Sequence, residues 1–256
     1  MSSFIAILSP AKLIDDQTHY PTISCTDAAF AQEAAELVAK LKKLSPDKLG
    51  NLMEMSSALA SETHARFQQW HLPFTHQNAH PAMLMFKGEV YRGLQAQELN
   101  PKQLNYAQKH IRILSGLYGI VRPLDLIMPY RLMMGTPFAV DKKTPNLYAY
   151  WKNTITSNLL ADLGKKGCII NLASQEYFKS IDTTMLNNRI IECEFKEKRN
   201  NKFVTVNTYS KLARGKMARF IIDHELKNAD DIRGFNTDAY SYNESLSSVD
   251  HFVFTR

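Results

Sequence analysis

The sequence is poor in the residues that build specialised chemistry. Among 256 residues there are three cysteines, Cys25, Cys168 and Cys193, an odd number at wide spacing, which excludes a disulfide framework and any CxxC metal or redox motif. The thiols are expected to be reduced, with Cys168 packed in the core beside Ile169 and Ile170. Long apolar runs are missing too. Phe4 to Leu8 and Met83 to Phe86 fall far short of the roughly 20 residues that span a bilayer, so no transmembrane helix is expected. Met1 to Ser9 lacks the basic start, long apolar stretch and small-residue cleavage site of a secretory leader, and a cytoplasmic protein with no membrane partner is the expectation. The ten glycines form neither GxGxxG nor GxxxxGK[ST], and HExxH and GxSxG do not occur. Ser9-Pro10-Ala11-Lys12 matches the SxxK string of acylating serine enzymes, but the companion motifs are missing and no catalytic residue is assigned. His71, His76 and His80 are close in sequence, yet their spacing around Pro73 and Pro81 does not place them on one helical face. They read as an exposed polar loop, so neither a metal nor a cofactor is expected.

At 45% hydrophobic and 22% charged, the chain falls in the ordinary globular range, with enough apolar residues for a real core. No repeat, low-complexity tract or linker breaks it, so a single domain over residues 1–256 is expected. Phe4 to Leu8 reads as a short buried strand, and Asp27 to Lys43 as an amphipathic helix capped by Asp27. A second helix restarts at Ser45-Pro46-Asp47 and runs through Leu59. Asn78 to Phe86 suggests a strand leading into a bend at Lys87-Gly88, and Pro101 to Leu114 a helix stopped by Ser115-Gly116. Ile169 to Ala173 is a further buried strand. Ile190 to Phe195 and Phe203 to Tyr209 form a hairpin around Lys198 to Asn201, Lys211 to Leu226 a basic helix, and Phe252 to Phe254 a last edge strand. Without a regular strand-helix alternation, the pattern indicates α+β, an irregular mixed α/β fold with central strands covered by helices, over a doubly wound sheet.

Lysine and arginine exceed aspartate and glutamate by 31 to 25, a net charge of +6, and the excess is gathered in two places. Lys196, Lys198, Arg199, Lys202, Lys211, Arg214, Lys216 and Arg219 face Glu197 alone. Lys102, Lys109, Arg112, Arg122 and Arg131 face Asp125 alone and flank Ser115 to Gly119. A basic helix followed by a short turn with Gly116 and Gly119 and then Arg122 resembles a helix-hairpin-helix, whose backbone amides can grip a phosphate. Spacing alone leaves a second reading open, in which Gly116 and Gly119 only cap one helix and turn the chain.

The sequence resembles the YaaA peroxide-stress protein family nearly end to end. The stretches that carry the resemblance are Leu8-Ser9-Pro10-Ala11-Lys12, Phe86 to Tyr91, Leu114 to Gly119, Arg122-Pro123-Leu124-Asp125, Pro129-Tyr130-Arg131-Leu132, Asn171-Leu172-Ala173-Ser174, Glu176-Tyr177-Phe178, Lys211 to Arg219 and Gly234-Phe235-Asn236. The resemblance implies an intracellular bacterial protein that protects against hydrogen peroxide by limiting unincorporated iron. It also implies DNA binding through a helix-hairpin-helix and a basic cleft, on an unusual fold. By position, Lys109, Arg112, Gly116, Gly119 and Arg122 fall in or beside the hairpin, and Lys211, Arg214, Lys216 and Arg219 in the cleft. The expected partner is double-stranded or branched DNA, held by phosphate contacts with little sequence preference. Lys12, Lys87, Tyr91, Arg131, Asn171, Ser174, Glu176 and Tyr177 lie in the other shared stretches, at expected strand ends and turns where a pocket for a small anionic ligand can form. That pocket supports the alternative, an uncharacterised enzyme acting on an anionic substrate. One departure from the family pattern is Met133, where an acidic residue is expected.

Overall fold

A computed structural model describes residues 3–15, 23–164 and 166–256. Strands β1 (Phe4–Leu8), β2 (Ile111–Ser115), β3 (Gly119–Val121), β4 (Cys168–Asn171), β5 (Arg189–Arg199), β6 (Lys202–Val204), β7 (Ser241–Tyr242) and β8 (His251–Thr255) form one mixed sheet. Its order is β7-β8-β5-β4-β1-β2-β3, with β6 paired to the end of β5. The inner strands β8, β5, β4, β1 and β2 are parallel, while β3, β6 and β7 pair antiparallel to their neighbours. Every residue of β1 and β4 is buried, as apolar strands covered on both faces must be.

The principal helices are α1 (Ala31–Leu41), α2 (Pro46–Met53), α3 (Ser57–Gln69), α4 (Glu89–Leu94), α5 (Pro101–His110), α6 (Leu147–Leu163) and α7 (Asn207–Asp223). Local chemistry fixes several starts. The Ser45 side chain caps α2 with Pro46 at its first position, and Asn100 and Gln103 form a reciprocal capping box at α5. Helix α5 covers one face of the sheet, where the rings of His110 and Phe4 lie 4.9 Å apart. Helix α6 covers the opposite face, where its Asp162 accepts from Arg112 Nε of β2 at 2.8 Å. Among the described residues, no helix is long and apolar enough to cross a membrane. All three cysteines are free, and Cys168 is buried.

Several expectations are corrected. Asp27 does not cap α1; it lies in a two-residue strand beside Leu126, and Phe30 occupies the cap position. The second helix breaks at Glu54, which adopts a left-handed conformation, and α3 restarts behind Ser56. Between Asn78 and Tyr91 the chain forms a short strand at His80–Pro81, a helical turn at Ala82–Met85, a second short strand at Phe86–Lys87 and then α4. The segment Phe252 to Phe254 is not at the edge, because β7 pairs outside it.

The largest correction concerns Pro101 to Arg122. The helix ends at His110, Ile111–Ser115 is a fully buried strand, and the turn returns as β3, so this segment is a β-hairpin and not a helix-hairpin-helix. Apolar residues at Leu104, Ala107, Ile111 and Leu114 satisfy helical spacing, but β1 offers an open parallel edge that Ile111 to Ile113 completes.

Helices α4 and α7 cross with their backbones touching. A side chain at Gly215 would stand 1.8 Å from the Val90 carbonyl oxygen, and one at Gly93 would stand 2.3 Å from the Leu212 carbonyl oxygen. Gly215→Ala therefore meets rigid backbone rather than a yielding side chain. Overpacking of this kind costs about 1–3 kcal/mol or more, and urea denaturation of the variant should show at least that loss; an unchanged midpoint would refute the close crossing.

Candidate functional site

The chain leaves β1, builds β2 on one side of it, and later returns to place β4, β5 and β8 on the other. The strand order therefore reverses between β1 and β4, and the loops after these two strands diverge. In parallel sheets a crevice opens at the carboxyl ends of the strands at this point. Here the two loops are tied to each other and to α4. The Ser174 amide donates to Ser9 Oγ at 2.8 Å, Ser9 Oγ donates to Ser174 Oγ at 3.2 Å, and Tyr91 of α4 donates its hydroxyl to the Ser9 carbonyl at 3.0 Å.

Most residues assigned to the anion pocket make short contacts with neighbouring segments of the chain. Leu13 pairs with Lys87 across a two-stranded ladder, Lys87 Nζ is 3.1 Å from Asp15, and Arg131 Nη1 donates to the Lys12 carbonyl at 3.3 Å. Glu176 Oε1 accepts from the Gly135 amide at 3.0 Å, and Tyr177 donates to Met133 Sδ at 3.6 Å. Tyr91 and Tyr177 are buried side by side with Tyr130. Burial raises all three hydroxyls above the usual tyrosine range, and proximity to the other two adds to the effect at Tyr91. They stay neutral hydrogen-bonding groups.

Charged residues lie beside the end of β4. Asn171, the last residue of β4, lies in register with Glu192 of β5, and its Nδ2 donates to Glu192 Oε2 at 2.7 Å while its Oδ1 holds the Ala173 amide at 2.9 Å. Burial pushes the Glu192 carboxyl above the usual carboxylate range, against the opposing pull of Asn171, His251 and Arg214. Arg214 of α7 is partly buried, which lowers its pKa from the free guanidinium value, and it lies within electrostatic reach of Cys193 and Glu192. It makes no hydrogen bond or ion pair with any described residue.

Residues assigned to DNA contact are scattered. Gly116 and Gly119 are buried: Trp151 Nε1 donates to the Gly116 carbonyl at 2.9 Å, and a side chain on Gly119, at φ +66°, would stand 2.6 Å from the Trp151 ring. The Leu117 and Tyr118 amides both donate to Ser115 Oγ, at 3.2 and 2.9 Å, so the turn presents no free amides to a phosphate at these positions. Arg112 is 5% exposed and bound to Asp162, and Arg122 is 3.0 Å from the buried Asp125. Lys216 pairs with Asp238, and Arg219 with Asp223 and Glu98. Lys109 is exposed at the end of α5, next to the amino end of β2, while Lys211 is exposed near the start of α7. Among the described residues no three His, Cys, Asp or Glu side chains are grouped to hold a metal ion. His71 is hydrogen-bonded to the Gln69 carbonyl and to Asn78.

The family model described as peroxide stress protein YaaA matches residues 4–246. The chain is 44% identical to the UPF0246 protein IL2146 of Idiomarina loihiensis over 98% of both chains. The chain belongs to the YaaA peroxide-stress protein family. It is also 43% identical to UPF0246 proteins of Saccharophagus degradans, over 98% of this chain and 99% of that one, and of Bordetella petrii, over 98% of both. At Met133, where the YaaA pattern suggests an acid, the thioether accepts the Tyr177 hydroxyl, so no carboxylate faces the tyrosine cluster from this position. Sequence reasoning gave Ser9 no role, overlooked Glu192, and placed Arg214 in a DNA cleft. The available signal for Glu192 was an acidic residue interrupting the apolar run Ile190 to Phe195.

A carboxyl group whose pKa is raised by folding stabilises the fold while protonated, and this contribution is lost as pH rises through the raised value. Glu192→Gln keeps an acceptor for Asn171 and removes the charge. It should be more stable than the parent at about pH 7, with the difference vanishing below about pH 4, where free glutamate is also protonated. Denaturation midpoints at both pH values test this, and a less stable variant at neutral pH would contradict it.

Proposed function

We propose that the crevice between the ends of β1 and β4 binds a small anionic ligand carrying a phosphate or carboxylate group. The observation that carries this reading is Arg214, a partly buried guanidinium with no hydrogen-bond or ion-pair partner among the described residues. A guanidinium cannot shed its charge at physiological pH, and leaving it desolvated and unpaired is costly unless an anion completes it. Lys12 and Arg131 support the reading, since neither has a carboxylate within ion-pair distance among the described residues. Lys87 stands nearby in a single pair with Asp15. Inorganic phosphate and a panel of acidic metabolites should include a ligand that raises the melting temperature, by mass action worth about 2.7 kcal/mol at a hundredfold excess over Kd. Arg214→Met should abolish the shift; a parent protein stabilised by no member of the panel would refute the proposal.

A second reading, DNA binding with little sequence preference, is favoured by a separate surface. Lys198, Arg199, Lys202 and Lys211 are exposed, and none has an acidic partner among the described residues. Phe203 and Tyr209, each 39% exposed, stand among them. Cations that follow a backbone, interleaved with aromatic faces that stack on unpaired bases, suit branched or locally opened DNA. Membership in a peroxide-stress family supports placing this contact in the cytoplasm, in protection against iron-dependent damage. Neutralising about four phosphates gives a log–log salt slope near −3.6. Anisotropy with labelled duplex and branched DNA should show that slope and lose it in a Lys198→Glu/Lys202→Glu variant. Salt-independent binding, or binding unaffected by the two substitutions, would overturn this second reading.

A further inference from the structure

Between the β2–β3 border of the sheet and α6 lies a polar cavity of about 130 Å³ that shares no residue with the crevice. Arg112, Arg122, Asp125, Asn158 and Asp162 line it, and β3 supplies its apolar wall. The fold brings these side chains from three places. Arg112 is the second residue of β2, Arg122 and Asp125 begin and close the turn after β3, and Asn158 and Asp162 are one helical turn apart on α6. Arg112 and Asp125 are buried, while Arg122 and Asp162 are partly exposed, so the cavity is open to solvent on one side.

Both guanidiniums are anchored but incompletely used. Arg112 places Nε and Nη2 at 2.8 and 2.7 Å from the same Asp162 oxygen, Oδ2, and Nη1 donates to the Gln108 and Ile111 carbonyls. No hydrogen bond reaches Asp162 Oδ1 from any described residue. Arg122 donates from Nε to Asp125 Oδ1 at 3.0 Å and from Nη2 to the Asp27 carbonyl at 3.4 Å, which leaves Nη1 without a partner among the described residues. The Asn158 amide, on the wall of the cavity, also has no hydrogen bond with a described residue. The cavity therefore presents spare guanidinium and amide N–H groups beside one spare carboxylate oxygen.

Such donors suit an oxyanion. The volume equals that of about four waters, the space needed by the four oxygens of a tetrahedral ion. Asp162 Oδ1 decides between such ions: it repels a fully ionised sulfate but accepts a hydrogen bond from phosphate, which keeps a proton at neutral pH.

We infer that this cavity binds inorganic phosphate, with oxygens on Arg112, Arg122 and Asn158 and the remaining proton donated to Asp162 Oδ1. The site is separate from the crevice and independent of how that is read. Titration calorimetry of the full chain with phosphate and sulfate tests it, with Arg214→Met as the control for the crevice. The parent should bind phosphate at least about tenfold more tightly than sulfate, because a site built to accept from a hydroxyl rejects an ion lacking one. Asp162→Asn offers a donor in place of the carboxylate, and sulfate should then bind as tightly as phosphate. Asn158→Ala removes a side chain without partners, so it should fold like the parent and weaken phosphate about fivefold, the worth of one hydrogen bond. Should Asp162→Asn fail to fold, Asn158→Ala carries the test. Methyl phosphate, whose last proton is largely lost at neutral pH, should bind more weakly than the free ion; equal binding would assign the cavity to an ester and overturn the free ion. No phosphate binding, equal affinity of the parent for the two ions, or a phosphate preference that survives in Asp162→Asn overturns the inference. Phosphate binding lost in Arg214→Met and unchanged in Asn158→Ala places the ion in the crevice, which overturns this site and supports the other.

Discussion

The candidate site depends on the contact between α4 and α7. Gly93 and Gly215 allow the two helix backbones to meet, and each residue that shapes the crevice from this side is a near neighbour of that crossing. Tyr91 precedes Gly93 by two positions and reaches Ser9; Arg214 adjoins Gly215 and faces β5. Wider separation of the helices would carry Tyr91 from the β1 loop and expose Arg214 to water. Lys216 and Arg219, further along α7, fasten it to Asp238, Glu98 and the carbonyls at the end of α4. Part of the basic block therefore serves as a clamp that holds another part of it against β5.

This arrangement explains why a basic composition is a poor guide to a basic surface. Arg112 lies in a strand and satisfies two backbone carbonyls as well as Asp162, while Arg122 closes over a carboxylate that is 1% exposed. Asp125 accepts from the Arg122 amide and side chain and from Thr26, so the charge near the hairpin binds chain segments to one another. Among the described residues, cations without such partners include Lys198, Arg199 and Lys202 of the β5–β6 hairpin, together with Lys12 and Arg131.

Local signals were legible where a residue acts on its own neighbours. Phe4 to Leu8, the Ser45-Pro46 start of α2, the buried strand at Ile169 and the turn at Lys198 to Asn201 all follow from periodicity and turn chemistry, although the second hairpin strand ends at Val204 and not Tyr209, because α7 begins at Asn207. Periodicity failed at Ile111 to Ser115, because the same residues satisfy a helix stripe and a buried strand, and only the β1 edge decides between them. Similarly, Ser9 and Ser174 are 165 positions apart, and neither carries a signal until the sheet order brings them together. Shared family stretches located the crevice residues without their geometry, whereas Glu192 lay outside those stretches and needed the β4–β5 register to be seen.

The sheet's two outermost strands are only two and three residues long, and both run against the direction of the parallel strands they border. Each border therefore offers too short a ladder for a neighbouring molecule to extend, and the outer strand at one end, Gly119–Val121, is buried as well. A parallel sheet built from such strongly apolar strands would otherwise invite intermolecular pairing. Short antiparallel borders leave little ladder for edge-to-edge pairing, a protection written into the topology and independent of the net charge.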